Sequence, residues 1–227
     1  MMARPRITIR PELSAQGIRK HPNPLLPLAV KTVVDIKKHL GKGLLVVDCG
    51  CGQLRNVQTL LSLSSRIVLV DTPYQLDRQH DFYGERMCIR DFVRKRWPRK
   101  RIEVMSSSDF EMASVDADII FSVNVLDVTP QRTRRAILRS CHNNLGTDGL
   151  FVAIAPRNDI WTLRICTPDK KYQDGYAFTH PSGYTYYRNW TGTSLHAAIE
   201  TAGFRIERDL STHRQVCIIC RDWAEAR

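Results

Sequence analysis

The residues best suited to chemistry stand in the run LLVVDCGCGQLRN, residues 44–56, where an apolar stretch ends on Asp48 and is followed by Gly50 and Gly52. Glycine has no Cβ, so a turn of this composition lets backbone come close to a ligand at the carboxyl end of a strand, where open α/β sheets bind. A second apolar run, IVLVD, ends on Asp71, 19 residues beyond Gly52. At that spacing a carboxylate can accept hydrogen bonds from both hydroxyls of a ribose.

A dinucleotide fingerprint has a third glycine that packs its helix beneath a pyrophosphate, and here that position is Arg55. The pattern therefore favours a ligand with a ribose and adenine, no pyrophosphate, and an amino group to meet Asp48. S-adenosylmethionine has these features.

These residues need elements to hold them. Strand candidates occupy 44–48, 67–71, 101–105, 118–122, 150–155, 204–208 and 215–220. Helical patterns fill 57–63, 76–96 with a break around Gly84, 130–145 and 193–202. Strand then helix, repeated, implies a parallel sheet covered on both faces. Only 209–214 separates the last two strands, so they should form an antiparallel hairpin at the sheet edge.

Ahead of the first strand, a basic, proline-punctuated arm leads to a helix at about 25–40, ended by Gly41 and Gly43. The 35-residue segment 156–190 breaks the alternation, is rich in Tyr, Trp, Gly and Pro, and reads as an insertion over the site. The expected fold is α/β: a Rossmann-like, mostly parallel seven-stranded sheet with an antiparallel edge hairpin and helices on both faces. The aromatic-rich insertion precedes the last helix.

With its elements in this order, the chain resembles the class I S-adenosylmethionine-dependent methyltransferases across residues 44–220. The family's first motif, acid-x-Gly-x-Gly, stands as Asp48, Cys49, Gly50, Cys51, Gly52, and its frequent third glycine is Leu54 here. The resemblance implies that Gly50 and Gly52 line the methionine part of S-adenosylmethionine, with Asp48 near its ammonium and Asp71 on the ribose. In the stretch SSSDF, Asp109 would accept from the adenine amino group, with Phe110 beside the ring. In ADIIFSVNVLDV, Asn124 and Val125 would border the sulfonium and the acceptor.

The implied layout is an arm and helix over 1–43, a methyltransferase domain over 44–221 with 156–190 as its lid, and a tail over 222–227. Any one acid alone reads equally as a helix cap or loop residue. Three acids, each after a successive strand at the ligand-binding edge, are what favour a site. A non-catalytic binding subunit of the same fold is the alternative, and retention of all three acids speaks against it.

Methyl transfer from a sulfonium is an in-line displacement, so the protein mainly positions the nucleophile and excludes water. A general base is needed only for a protonated acceptor. The candidates are Asp127, on the loop after the fourth strand, and His180, Tyr184 and Tyr186 in the insertion. Two DNA-base classes are disfavoured: SVNVLD replaces the Asn/Asp-Pro-Pro-aromatic motif of adenine methylation, and no Pro-Cys nucleophile is present.

The net charge of +11, from 34 Lys and Arg against 23 Asp and Glu, favours acidic partners. Residues 86–101 carry eight basic side chains against Asp91 alone, among them Arg94, Lys95, Arg96, Arg99, Lys100 and Arg101. Helix 130–145 adds Arg132, Arg134, Arg135 and Arg139. Basic patches beside an aromatic segment suit phosphates and stacked bases, so RNA or DNA is slightly favoured as acceptor. A small molecule methylated on N or O comes next, then protein.

A chain of 227 residues with 43% hydrophobic and 25% charged content can bury a large core, which excludes collagenous, low-complexity and wholly disordered classes. No apolar run approaches the roughly 18 residues of a membrane span. The start, MMARPRITIR, has no apolar signal core, and the expectation is a cytoplasmic protein. Seven scattered cysteines do not resemble a secreted disulfide framework. Cys217 and Cys220, in VCIIC, would point to opposite faces of a strand, so buried structural thiols are expected, with no metal site.

Overall fold

The computed structural model describes residues 9–10, 23–37, 43–64, 66–157 and 170–222. The first half runs α1 (Leu26–Ile36), β1 (Leu45–Cys49), α2 (Val57–Leu61), β2 (Arg66–Asp71), α3 (Pro73–Asp77), β3 (His80–Phe82), β4 (Glu85–Met87), α4 (Ile89–Arg96) and β5 (Arg101–Ser106). Then come α5 (Ser107–Met112), β6 (Ala117–Val123), α6 (Gln131–Asn143), β7 (Leu145–Pro156), β8 (Lys171–Tyr172), β9 (Gly175–His180) and β10 (Gly183–Tyr187). The last elements are α7 (Gly192–Thr201), β11 (Phe204–Asp209) and β12 (Gln215–Asp222).

Seven strands form the main sheet in the order β5-β2-β1-β6-β7-β12-β11. Neighbours from β5 to β7 are parallel, while β12 is antiparallel to both β7 and β11. The expected edge hairpin is present, with β11 outermost. Strand order reverses between β1 and β6, which opens a crevice outside their carboxyl ends, the usual ligand position in such sheets.

Alternate residues on each strand feed two cores. Val46, Leu69, Phe121 and Ile154 face a layer that holds α1, α2, α3 and α4. Val47, Val70, Ile120 and Phe151 face the layer of α5, α6 and α7. Burial on both faces is what makes these strands read as continuous apolar runs. Each fully buried Val, Leu or Ile contributes about 1.5–3 kcal/mol. Cys217 and Cys220 lie on opposite faces of β12, both buried, as their spacing requires. No helix among the described residues is long and apolar enough to cross a membrane.

Three local expectations are corrected. Residues 76–96 do not form one helix broken at Gly84: α3 is followed by the hairpin of β3 and β4, and only then by α4. Tyr83 (φ 58°) and Gly84 (φ 87°) both take the left-handed backbone that a two-residue hairpin turn demands. Phe82 then stacks on Phe92 of α4 at 4.0 Å, which anchors the hairpin. Helix α1 ends at Ile36, before the expected residue 40, and Gly41 lies outside the described residues. Strand β7 begins at Leu145, where a helix end was expected, because Leu145 pairs with Ala117.

Within the insertion, β8, β9 and β10 make a separate three-stranded antiparallel sheet. Residues 158–169 lie outside the described residues.

Candidate active site

β1 stops where Gly50 (φ 85°) and Gly52 (φ 53°) turn left-handed. The amides of Gly50 and Cys51 both donate to the Val70 carbonyl, at 2.8 and 3.0 Å, folding the turn across the end of β2. The Asp71 carboxylate accepts from the Gly52 amide at 2.8 Å and from the Thr72 amide at 2.8 Å. A carboxylate accepts up to about four hydrogen bonds, so clamping the turn does not preclude hydroxyl donors from a ligand.

A Cβ on Gly50 would overlap the Val125 side chain, so the β1 turn and the loop after β6 are closed tightly on each other. Leu54, at the third-glycine position, keeps φ at 61° while burying its side chain at 7% exposure. The left-handed backbone costs about 1–2 kcal/mol, and burial of a leucine offsets it.

Asp48 is fully buried, and neither carboxylate oxygen has a hydrogen bond among the described residues. Burial, and then the negative charge of Asp71, push its pKa up to about 7, while the neighbouring Asn56 side chain offsets part of the rise. A buried carboxylate eased only by the nearby Asn56 amide is suited to a ligand ammonium. Asp127 is 4% exposed with its Oδ1 unpartnered, and burial raises its pKa to about 7. A group that titrates there can take up a proton near neutral pH.

The remaining expected residues divide. Asp109, exposed in the first turn of α5, accepts from the Ser106 hydroxyl at 2.6 Å, and its amide donates back to Ser106 Oγ at 3.1 Å. Ser106 therefore caps the helix, and Asp109 sits in its first turn at the carboxyl end of β5. One residue on, the helix turns the Phe110 ring into the core of α5 to α7, at 1% exposure. Asn124 is exposed at φ 56°, and its side chain accepts from Asn23 Nδ2 at 3.3 Å.

Among the insertion residues, the Tyr186 ring is 1% exposed and its hydroxyl donates to Asp174 at 2.6 Å. Tyr184 is half-buried, and its carbonyl accepts from the Arg10 amide at 2.8 Å. His180 closes its own turn, with Nδ1 accepting from the Ser182 amide at 3.2 Å.

Sequence reasoning missed a charged cluster. Arg134 of α6, 3% exposed, and Arg188 both pair with Asp174, and both guanidinium groups lie over the Trp190 ring, at 4.9 and 4.1 Å. The Arg188 amide donates to the Asp127 carbonyl at 2.7 Å. These bonds fasten the insertion to the loop after β6. Arg134 had looked like one more arginine of a basic helix, and the only signal against that was the register of Arg134 with Leu138 and Cys141 on the buried face.

The basic segment Arg94, Lys95, Arg96, Arg99, Lys100 and Arg101 does not line the crevice. Arg101 pairs with Arg66 at the amino ends of β5 and β2, whereas Ser106 pairs with Asp71 at the carboxyl ends. At about 3.3 Å per residue the two ends stand roughly 17 Å apart.

No family model matches the chain, and no curated protein sequence matches it. Solved structures do. A 1,6-didemethyltoxoflavin-N1-methyltransferase of Burkholderia thailandensis, with bound 1,6-didemethyltoxoflavin and S-adenosylhomocysteine, is similar at a TM-score of 0.59 and 17% identity, over 86% of this chain and 79% of that one. An S-adenosylmethionine-dependent methyltransferase of Methanosarcina mazei gives 0.59 and 14%, over 83% of this chain and 96% of that one. Human N-acetylserotonin methyltransferase, in complex with S-adenosylmethionine, gives 0.54 and 17% over 86% of this chain, which spans 51% of that protein's length. The chain has the fold of class I S-adenosylmethionine-dependent methyltransferases.

Proposed function

We propose that the chain transfers a methyl group from S-adenosylmethionine to an acceptor held between the loop after β6 and the insertion, with 44–221 as the methyltransferase domain and 156–190 as its lid. The observation that carries this reading is Asp48, fully buried with both oxygens unpartnered among the described residues, beside a glycine turn clamped by Asp71. The donor set fits the cofactor: an ammonium supplies what Asp48 lacks, and the turn offers close backbone.

When bound, S-adenosylmethionine supplies an activated methyl on its sulfonium. In this reading Asp48 accepts from the ammonium, Gly50 and Gly52 line the methionine part, and Asp71 accepts from the ribose hydroxyls. Asp109 reaches the adenine amino group, exchanging its bond with Ser106. Asn124 and Val125 border the transfer point, and Asp127 takes the proton of a protonated acceptor.

A small-molecule acceptor is the better reading. The basic segment lies at the other end of the strands from the crevice, and two neighbours are named for small acceptors, 1,6-didemethyltoxoflavin and N-acetylserotonin. A nucleic-acid acceptor is supported by charge alone.

Calorimetry tests the cofactor step. The protein should bind S-adenosylmethionine with micromolar affinity, and Asp71→Ala should weaken it by about 1.5–3 kcal/mol, the scale of a charge-assisted hydrogen bond. Absence of binding by the wild type, or an unchanged affinity in the variant, sinks the reading.

A further inference from the structure

The segment 86–101 has no part in the site just described, yet it is built around α4 in a way that solvation alone does not explain. Two surface grooves flank this helix. One, of about 400 Å³, includes Tyr83, Phe92, Lys95 and Arg96 in its walls. The other, of about 390 Å³, includes Arg94, Trp97 and Lys100.

Three aromatic rings cross between them. Tyr83 stacks on Phe92 at 6.3 Å, and Phe92 meets Trp97 edge-on at 5.8 Å. Tyr83 is 93% exposed at the hairpin turn, where its left-handed backbone presents the ring outward.

Charge lines both grooves, Arg94 and Lys100 on one side and Lys95 and Arg96 on the other. Lys95 pairs with Glu85, Arg94 weakly with Asp91 at 3.6 Å, and Arg90 with Asp77 at 3.2 Å. Arg86, Arg96, Arg99, Lys100 and Arg101 are exposed and have no ion-pair partner among the described residues. The three basic residues in the last turn of α4 complement its dipole. Arg86, Arg99, Lys100 and Arg101 lie outside the helix, so that explanation does not reach them. An anionic membrane would call for aliphatic side chains here, but the large exposed hydrophobic of these elements is Tyr83 alone.

We propose that this face binds single-stranded nucleic acid, bases stacking on Tyr83 and Trp97 while phosphates meet Arg86, Arg96, Arg99, Lys100 and Arg101. One exposed ring, Tyr83, and one half-buried ring, Trp97, flanked by unpaired cations give affinity without sequence preference, since every base has a π-face. The surface is an anchor separate from the transfer crevice, and it holds the polymer whatever the methyl acceptor is.

Fluorescence anisotropy with labelled uridine and thymidine homopolymers of about 20 nucleotides, titrated from roughly 50 to 200 mM salt, tests it. Wild type should bind with an affinity that falls steeply with salt, by about 0.7 log units per phosphate contact for each tenfold rise. R96E, R99E and K100E combined should flatten that slope. Tyr83→Ala should weaken binding about tenfold while leaving the slope intact, as loss of one stacking contact does.

Wild type that fails to bind either homopolymer, or variants that bind as well as wild type, overturns the proposal. So does capture by phosphatidylserine vesicles with no affinity for the homopolymers, which would make this a membrane face. S-adenosylmethionine affinity, measured on the same samples, should be equal in all variants. Its absence from the wild type defeats the methyltransferase reading and leaves this one standing.

Discussion

Asp48 is a carboxylate in the interior of the sheet with only Asn56 beside it to ease the charge, and its pKa is raised from 3.8 to about 7 by burial and then by Asp71. Between those values the folded state holds a proton that the unfolded state has lost, so stability falls as pH rises through the window. The full cost of the charged form is at most about 4 kcal/mol above pH 7. Asp127 acts in the same direction, through burial. The chain also gains positive repulsion in acid, so the informative quantity is the difference between wild type and Asp48→Asn. In melting experiments without ligand, that variant should gain on wild type from pH 5 to pH 8, by about 2–3 kcal/mol in unfolding free energy. Saturating S-adenosylmethionine should then stabilise wild type far more than the variant, because the ammonium finds its charge only in wild type. An equal pH profile for the two proteins would show that Asp48 has a donor in solution.

At the scale of elements, the insertion is held by buried charge and not by apolar packing alone. Asp174, in the turn between β8 and β9, receives Arg134 from α6, Arg188 and the Tyr186 hydroxyl. Arg188 is itself perturbed, its pKa lowered to about 10 by burial and by the nearby Arg134. Asp174→Asn leaves two guanidinium groups without their anion, and with Asp174 and Arg188 each one-fifth exposed this should cost about 1.5–3 kcal/mol, the scale of hydrogen bonds to charged groups. Adding Arg134→Met should restore part of that loss, a non-additivity that a denaturant-based double-mutant cycle reads directly. In turnover assays the acceptor KM should rise while cofactor affinity holds, since Asp48 and Asp71 lie on other elements.

The same contrast explains what could be read from the chain. The glycine turn, Asp48 and Asp71 were legible because a strand end and its turn are local, with chemistry and backbone constraint in one stretch of sequence. Arg134 and Asp174 stand 40 residues apart, and nothing local pairs them. Asp109 and Phe110 show the limit within a motif: adjacent in sequence, they part by about 100° around a helix, one to solvent and one to the core. The β3–β4 hairpin escaped because three residues per strand are too few to display a period of two.

For the whole molecule, the sheet is a wall shared by two cores, and its cysteines report on both. Cys51 and Cys217 lie in the core of α1 to α4, and Cys141 and Cys220 in the core of α5 to α7. Burial pushes the Cys217 thiol up to about 12 and the Cys220 thiol further. In the native state these thiols are therefore protected both by access and by the scarcity of thiolate, and they react with an alkylating agent only after opening. Among the described cysteines, half-buried Cys88 should label first.

Because alternate residues of each strand serve opposite layers, stripping the helices from one face leaves a bare apolar sheet that the other face cannot sustain. The two layers should therefore open together, and the thiols of Cys51, Cys141, Cys217 and Cys220 should give opening free energies within about 0.5 kcal/mol of one another. Residue-resolved mass spectrometry of alkylation over a range of denaturant measures this. A lower opening energy for Cys141 and Cys220 than for Cys51 and Cys217, by more than about 1 kcal/mol, would mean that the α5 to α7 layer detaches on its own. The insertion, tied to α6 through Arg134, would then leave with it.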